Sequence, residues 1–164
     1  ELDPDQAAYY QANAESLRGQ LEGLDGQYAA ALAECRGETM LTSHEAFGYM
    51  AARYGLEQVG VLGVDPDAEP SPVRINEDAS IIQDKGVTTL FVEPTGAHSH
   101  DEDEHDQGSH GHASQTKLAT TLGVQGIELD TLETQVDPSR DFLDVMRANL
   151  HALGDGLGCA AEAD

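Results

Sequence analysis

The chain has 164 residues, of which 31 are acidic and 8 are basic, giving a formal net charge of −23. This length suits one domain with a hydrophobic core, and the charge argues against binding to nucleic acid or to an anionic membrane surface, because both attract clusters of Lys and Arg. No apolar run approaches the ~20 residues of a membrane span, and no secretory signal is present, so we interpret the chain as a mature protein or a fragment.

The first predicted element is one long helix. Asp3 can cap its first turn, and Pro4 suits its first position. From Tyr10 to Leu32 an apolar side chain recurs every three or four residues, which is the spacing of one helical face. Continued to Cys35, this helix would be roughly 45 Å long at ~1.5 Å per residue.

Strands and helices then alternate along the rest of the chain. Short apolar and β-branched runs predict strands at 38–41, 58–62, 87–92 and 124–129. Apolar residues at helical spacing predict helices at 45–54, 71–86, 115–122 and 137–157. The alternation predicts an α/β fold with a four-stranded, mainly parallel sheet flanked by helices and preceded by the long helix.

The segment 98–112 is rich in histidine and in carboxylates, and it has almost no apolar side chains. Its five histidines are His98, His100, His105, His110 and His112. Such a composition predicts a solvated loop. Imidazole and carboxylate are ligands of zinc and neighbouring metals, so we prefer an accessory metal collector to a plain charged linker. The lack of a fixed spacing argues against a rigid site.

Polar residues also follow three of the predicted strands. His44 follows the first strand, Glu93 the third and Asp130 the fourth. In open parallel sheets, ligands bind beyond the carboxyl ends of the strands, and these three side chains make a donor set for a first-row metal. The competing interpretation is that strand exits are often polar because such residues cap the next helix.

The two cysteines, Cys35 and Cys159, are too far apart in sequence for a zinc ribbon or a redox motif. They are compatible with two buried free thiols or with one long-range disulfide. We favour the disulfide, because it would join the ends of the first and last helices and would suit an oxidising compartment.

The sequence predicts no catalytic residues. His44-Glu45 would need a second histidine at position 48 to be a zinc-peptidase motif, but that residue is Gly48. No nucleophile elbow and no phosphate-binding loop is present. A metallohydrolase would also need an open coordination position and a general base.

The segment 42–56, Thr-Ser-His-Glu-Ala-Phe-Gly-Tyr-Met-Ala-Ala-Arg-Tyr-Gly-Leu, resembles the metal-specific substrate-binding proteins of bacterial zinc and manganese ABC transporters. Further pieces that resemble the family follow in the same order at 69–71, 86–93, 129–130 and 146–150. The resemblance implies two α/β lobes joined by one long helix, with the metal between the lobes. It makes 1–36 the end of the connecting helix and 37–164 the carboxy-terminal lobe, with a His-rich loop at 94–114.

The resemblance also implies a ligand set. The carboxy-terminal lobe would supply His44 and Asp130, with Glu93 as a further candidate, and the missing amino-terminal lobe would supply two histidines. Zinc members typically carry their His-rich loop in the amino-terminal lobe, so the role of the loop here is inferred from composition.

The predicted function is therefore high-affinity zinc binding outside the cytoplasm, with delivery to an ABC import permease. Neutral nitrogen ligands favour zinc over manganese, although a manganese-specific member is the nearest alternative. A metal-buffering or adhesion protein of the cell surface on the same scaffold is a second alternative. The location would be the periplasm or the cell surface, with or without a lipid anchor upstream of Glu1.

Overall fold

The computed structural model describes residues 3–62, 71–94, 117–133, 135 and 137–159. A 3₁₀ turn at Pro4–Gln6 leads into α1 (Ala7–Ala31), and a second 3₁₀ turn follows at Ala33–Cys35. The strands are β1 (Thr39–Thr42), β2 (Glu57–Gly60), β3 (Thr89–Val92) and β4 (Gln125–Glu128). The remaining helices are α2 (Gly48–Tyr54), α3 (Pro72–Lys85), α4, which includes 117–122, and α5 (Phe142–Leu157).

The four strands form one sheet in the order β2-β1-β3-β4, and every pairing is parallel. The predicted α/β fold is thereby confirmed. The register places Thr42 opposite both Gly60 and Phe91, and Val92 opposite Glu128. The carboxyl ends of the strands therefore meet at one edge of the sheet, which we call the ligand edge.

Helices cover both faces of the sheet. The two central strands are buried at every position, as expected for parallel strands that pack on both sides. One core joins Met40 and Phe91 to α1 and α5, and the other joins Leu41 and Leu90 to Leu118 on α4. The edge strands β2 and β4 are more exposed. Among the described residues, no helix is both long and apolar enough to cross a bilayer.

The long helix α1 is buried over its last part only. Leu24 and Tyr28 are buried, whereas Tyr10 is 53% exposed and Leu17 is 51% exposed. The Tyr28 hydroxyl donates to the Met146 carbonyl at 2.6 Å, which ties α1 to α5. The predicted apolar stripe is thus real as a pattern, but within the described part of the chain its first half has no covering layer.

The start of the chain and the start of α5 differ from the sequence predictions. Asp3 does not cap a helix through its side chain, and instead it accepts a hydrogen bond from the Tyr10 hydroxyl at 3.2 Å. The last helix begins at Phe142 rather than at Pro138. Asp141 caps it in a reciprocal capping box with Asp144, whereas the carboxylate of Asp137 bonds locally to Ser139. Two aspartates compete for the cap, and the one with a partner three residues later prevails.

The predicted pairing of Cys35 with Cys159 is confirmed. The two residues form a disulfide with a Cα–Cα distance of 5.6 Å and a sequence separation of 124. Cys35 lies just beyond α1 and Cys159 just beyond α5, so the bond joins the carboxyl ends of the helices that cover the same face of the sheet.

Candidate metal site

His44 lies two residues beyond β1, on the ligand edge. The pairing with β3 continues past the strand, because the Ser43 amide donates to the Phe91 carbonyl at 2.8 Å. The Thr42 hydroxyl donates to the His44 carbonyl at 2.7 Å, and Gln58 Nε2 donates to that hydroxyl at 3.0 Å. His44 is buried, with 6% of its surface exposed. These contacts fix the backbone at the histidine, and they explain why α2 begins at Gly48 rather than at residue 45.

Glu93 lies at the matching exit of β3 and contacts His44 directly. Its Oε1 atom meets His44 Nδ1, and both side chains are about nine-tenths buried. The contact follows from the topology, because β1 and β3 are neighbours in the sheet although α2, β2 and α3 separate them in sequence. A carboxylate beside Nδ1 favours the tautomer that is protonated there, and that tautomer carries its lone pair on Nε2.

Asp130 follows β4 and is partly buried. Its carboxylate oxygen Oδ1 accepts a hydrogen bond from the Leu132 amide at 2.8 Å, across a turn in which Leu132 has a φ of 60°. Its backbone is held by Asn149 of α5, whose Oδ1 accepts from the Asp130 amide at 2.9 Å. Asn149 Nδ2 donates to the Asp130 carbonyl at 2.8 Å.

Sequence reasoning gave Asn149 no role. The signal lay in its spacing, because it falls three residues after Met146 and four before Leu153, on the apolar face of α5. A polar residue at such a position must find partners when it is buried. The sequence shows the polar residue in the stripe, but it does not show which strand exit the amide meets.

A surface pocket of about 270 Å³ opens beside Asp130. Its lining includes residues from the loop before α5 and from the first turn of that helix, namely Asp130, Leu132, Glu133, Gln135, Asp137, Arg140, Asp141, Phe142 and Val145. His44 and Glu93 do not line it.

The structure thus brings together two of the three strand-exit residues. Within the ranges that the structure describes, no group of three or more His, Cys, Asp or Glu side chains is placed to hold a metal ion. The five histidines of the His-rich loop, all within 98–112, lie outside the described residues. His44 is the strongest candidate for a metal ligand, and Glu93 is the partner that orients it. One histidine alone does not complete the coordination of a metal ion.

Known proteins resemble this chain over almost its whole length. The zinc-binding protein AdcA of Streptococcus pyogenes is 33% identical over 158 residues, which cover 92% of this chain and 27% of AdcA. The high-affinity zinc uptake system protein ZnuA of Bacillus subtilis is 31% identical, over 94% of this chain and 46% of its own length. This chain therefore spans less than half of either relative.

A solved structure agrees with these relatives. The laminin-binding protein Lbp of Streptococcus pyogenes superimposes with a TM-score of 0.77 at 29% identity, over 95% of this chain and 56% of that protein. The family described as the periplasmic zinc-uptake complex component A matches residues 1–156. The chain belongs to this ZnuA family of zinc-uptake components, which are binding proteins and not enzymes.

Proposed function

We propose that this chain is the carboxy-terminal lobe of an extracytoplasmic zinc-binding protein that delivers zinc to an ABC import permease. The observation that carries the proposal is the buried His44 at the exit of β1, with Glu93 against its Nδ1 atom. A histidine held in this way presents Nε2 as a neutral nitrogen donor, which is a common zinc ligand. Membership of the zinc-uptake family supports zinc as the transported ion.

Glu93 acts in this proposal as the orienting partner of His44 rather than as a ligand. A carboxylate behind a ligating imidazole fixes the tautomer and raises the basicity of the nitrogen that binds the metal. Asp130 supplies the negative charge that offsets the cation. Its Oδ1 atom accepts from Leu132, so Oδ2 is the oxygen that we assign to zinc.

The remaining ligands come from an amino-terminal lobe. Zinc sites are usually four-coordinate, and the described part of this chain holds no cluster of three donors. The exposed apolar side chains of α1, including Tyr10 and Leu17, offer a surface for such a lobe. The two α/β lobes would then close around zinc at the ligand edge.

The His-rich loop acts as an accessory collector. Five histidines and five carboxylates occur within 98–112, and a chain with a net charge of −23 attracts cations to its surface. Calorimetry on a variant that lacks 98–112 tests this role. We expect fewer zinc ions bound per protein and an unchanged affinity of the tightest site. An unchanged number of bound zinc ions would refute the role of collector.

Zinc binding by the intact protein tests the primary site. His44→Ala and Asp130→Ala are each compared with His151→Ala, because His151 is an exposed histidine of α5 and serves as a matched control. Competition with a chelator should show a loss for His44→Ala larger than the roughly 10- to 100-fold that an orienting partner contributes. Equal affinities for His44→Ala and His151→Ala would refute the site.

Delivery to a permease is tested by comparing zinc uptake in cells that have the permease and in cells that lack it. We expect the protein to increase zinc uptake only in the cells that have the permease.

A second candidate function is adhesion at the cell surface. Its support is the likeness to a structure described as a laminin-binding protein. Binding of the intact protein to immobilised laminin, with and without zinc, distinguishes the two functions. Laminin binding that survives His44→Ala would indicate a separate adhesive surface. The absence of laminin binding would rule out adhesion to laminin and favour the transport function.

A further inference from the structure

Both polar atoms of the buried Asn149 side chain form hydrogen bonds with the backbone of a single residue, Asp130. Asn149 is 5% exposed, and its Oδ1 and Nδ2 atoms bind the Asp130 amide and carbonyl at 2.9 and 2.8 Å. The paired bonds close a ring between the side chain of α5 and the backbone beyond β4. A neighbouring strand would offer the same donor and acceptor to a residue in a sheet.

The hydrogen-bonded ring begins at the residue after the last hydrogen bond between the chain and β3. The last bond from β3 is the Leu129 amide to the Val92 carbonyl at 2.8 Å. One residue later the amide of Asn149 replaces the strand as partner, and two residues after that Leu132 adopts a φ of 60°. Such a φ is unfavourable for a leucine and persists only where its surroundings fix it. The Asp130 carboxylate, through Oδ1 and the Leu132 amide, closes this turn.

We propose that Asn149 is a positioning residue for the metal ligand Asp130. It fixes the backbone of Asp130, the turn at Leu132 then fixes the carboxylate, and Oδ2 is held ready for the metal without being ordered on binding. The inference rests on the proposed function, because it gives Asp130 the role of a ligand. Asn149 itself touches no metal.

A double-mutant cycle in the intact protein tests the proposal. Zinc affinity is measured for the unchanged protein, for Asn149→Ala, for Asp130→Ala and for the double variant. We expect Asn149→Ala to weaken zinc binding roughly 10-fold or more when Asp130 is present, and to have no further effect when residue 130 is alanine. Leu153→Ala, a buried substitution one turn further along α5, is the control for a general loss of stability and should leave zinc affinity unchanged.

The outcomes separate this inference from the proposed function. If Asp130→Ala binds zinc normally, Asp130 is not a ligand and the proposed site fails with the inference. If Asp130→Ala is impaired but Asn149→Ala is not, or if Asn149→Ala weakens zinc binding equally in both backgrounds, only the positioning role fails. Asn149→Leu, which keeps the branched shape of the side chain, replaces the alanine variant if that variant does not fold. Failure of both to fold would make Asn149 a purely structural residue.

Discussion

His44 has two ring nitrogens, and the position of Glu93 determines which of them is available to a metal. Glu93 contacts Nδ1, so Nε2 is the donor that remains. The sequence predicts that both residues lie at strand exits, because strands and their ends can be recognised from β-branched runs. It does not predict the contact, which depends on β1 and β3 being neighbours although they are not consecutive.

Removing the charge of Glu93 should weaken zinc binding without removing a ligand. Glu93→Gln keeps the size of the side chain, but an amide no longer places a negative charge beside Nδ1 of His44. We expect the zinc affinity of the intact protein to fall roughly 10- to 100-fold, which is less than for His44→Ala. Glu128→Gln, at the exposed end of β4, is the matched control. Equal affinities for the two glutamine variants would show that Glu93 does not act on His44.

A second buried carboxylate lies on α3 and is not one of the strand-exit residues. Asp78 of α3 is fully buried, with Arg74 Nε 3.2 Å from its Oδ1. Burial raises the pKa of Asp78 from its usual value of 3.8, and the charge of Arg74 opposes the rise. The ionised form of Asp78 is therefore disfavoured in the folded state.

The raised pKa of Asp78 predicts a pH-dependent effect of Asp78→Asn. An acid with a raised folded pKa binds its proton more tightly when folded, so its contribution to stability is lost as pH rises from 3.8 through the folded pKa. The asparagine variant lacks this loss. We expect its stability relative to the unchanged protein to increase across that window and then to level off. Urea unfolding of both proteins from pH 4 to pH 8 measures the difference; a difference that does not vary with pH would contradict the prediction.

At the scale of the elements, α5 packs closely against β3 at Gly156. A Cβ atom on Gly156 would lie 2.5 Å from Cζ of Phe91, and Phe91 is a core residue that is 2% exposed. The ring has little room to move, so α5 can approach the sheet this closely only with glycine at position 156.

We expect Gly156→Ala to destabilise the fold by about 1–3 kcal/mol, as overpacking of a dense core does. Thermal or urea unfolding measures the change. Gly26→Ala in α1 is the control, since nothing lies within 4 Å of a Cβ there, and it should stabilise the helix by about 0.5–1 kcal/mol. Two alanine variants of equal stability would show that the contact with Phe91 relaxes without cost.

The order and type of the elements could be predicted from the sequence because each carries its own periodic pattern. The starts of α2 and α5 could not, because they depend on rival local bonds: Ser43 continues the pairing with β3, and Asp141 displaces Asp137 as the cap. The role of Asn149 lay beyond sequence reasoning for a similar reason. A buried amide can be recognised, but its partner is known only when α5 is packed on the sheet.

For the whole molecule, the disulfide closes residues 35–159, which contain all four strands, into one loop. Because Cys35 and Cys159 are 124 residues apart, the bond restricts the unfolded chain strongly, and reduction should lower the free energy of unfolding by about 2–5 kcal/mol. Urea unfolding with and without a thiol reductant measures the change. A Cys35→Ser, Cys159→Ser double variant should show the lower stability in both conditions. If the reductant does not change the free energy of unfolding of the unchanged protein, the disulfide is not formed.

Only the last part of α1 is anchored to the rest of the fold. Leu24 and Tyr28 hold it in the core, and the disulfide at Cys35 holds the chain just beyond the helix. A force on the exposed first part of α1 would therefore be transmitted to the whole lobe through this anchored part. The helix is weakest before the anchored part, at Gly19 and Gly23, because glycine has a low helix propensity. If α1 bends in the proposed two-lobe protein, we expect it to bend at these glycines, before the buried part of the helix begins.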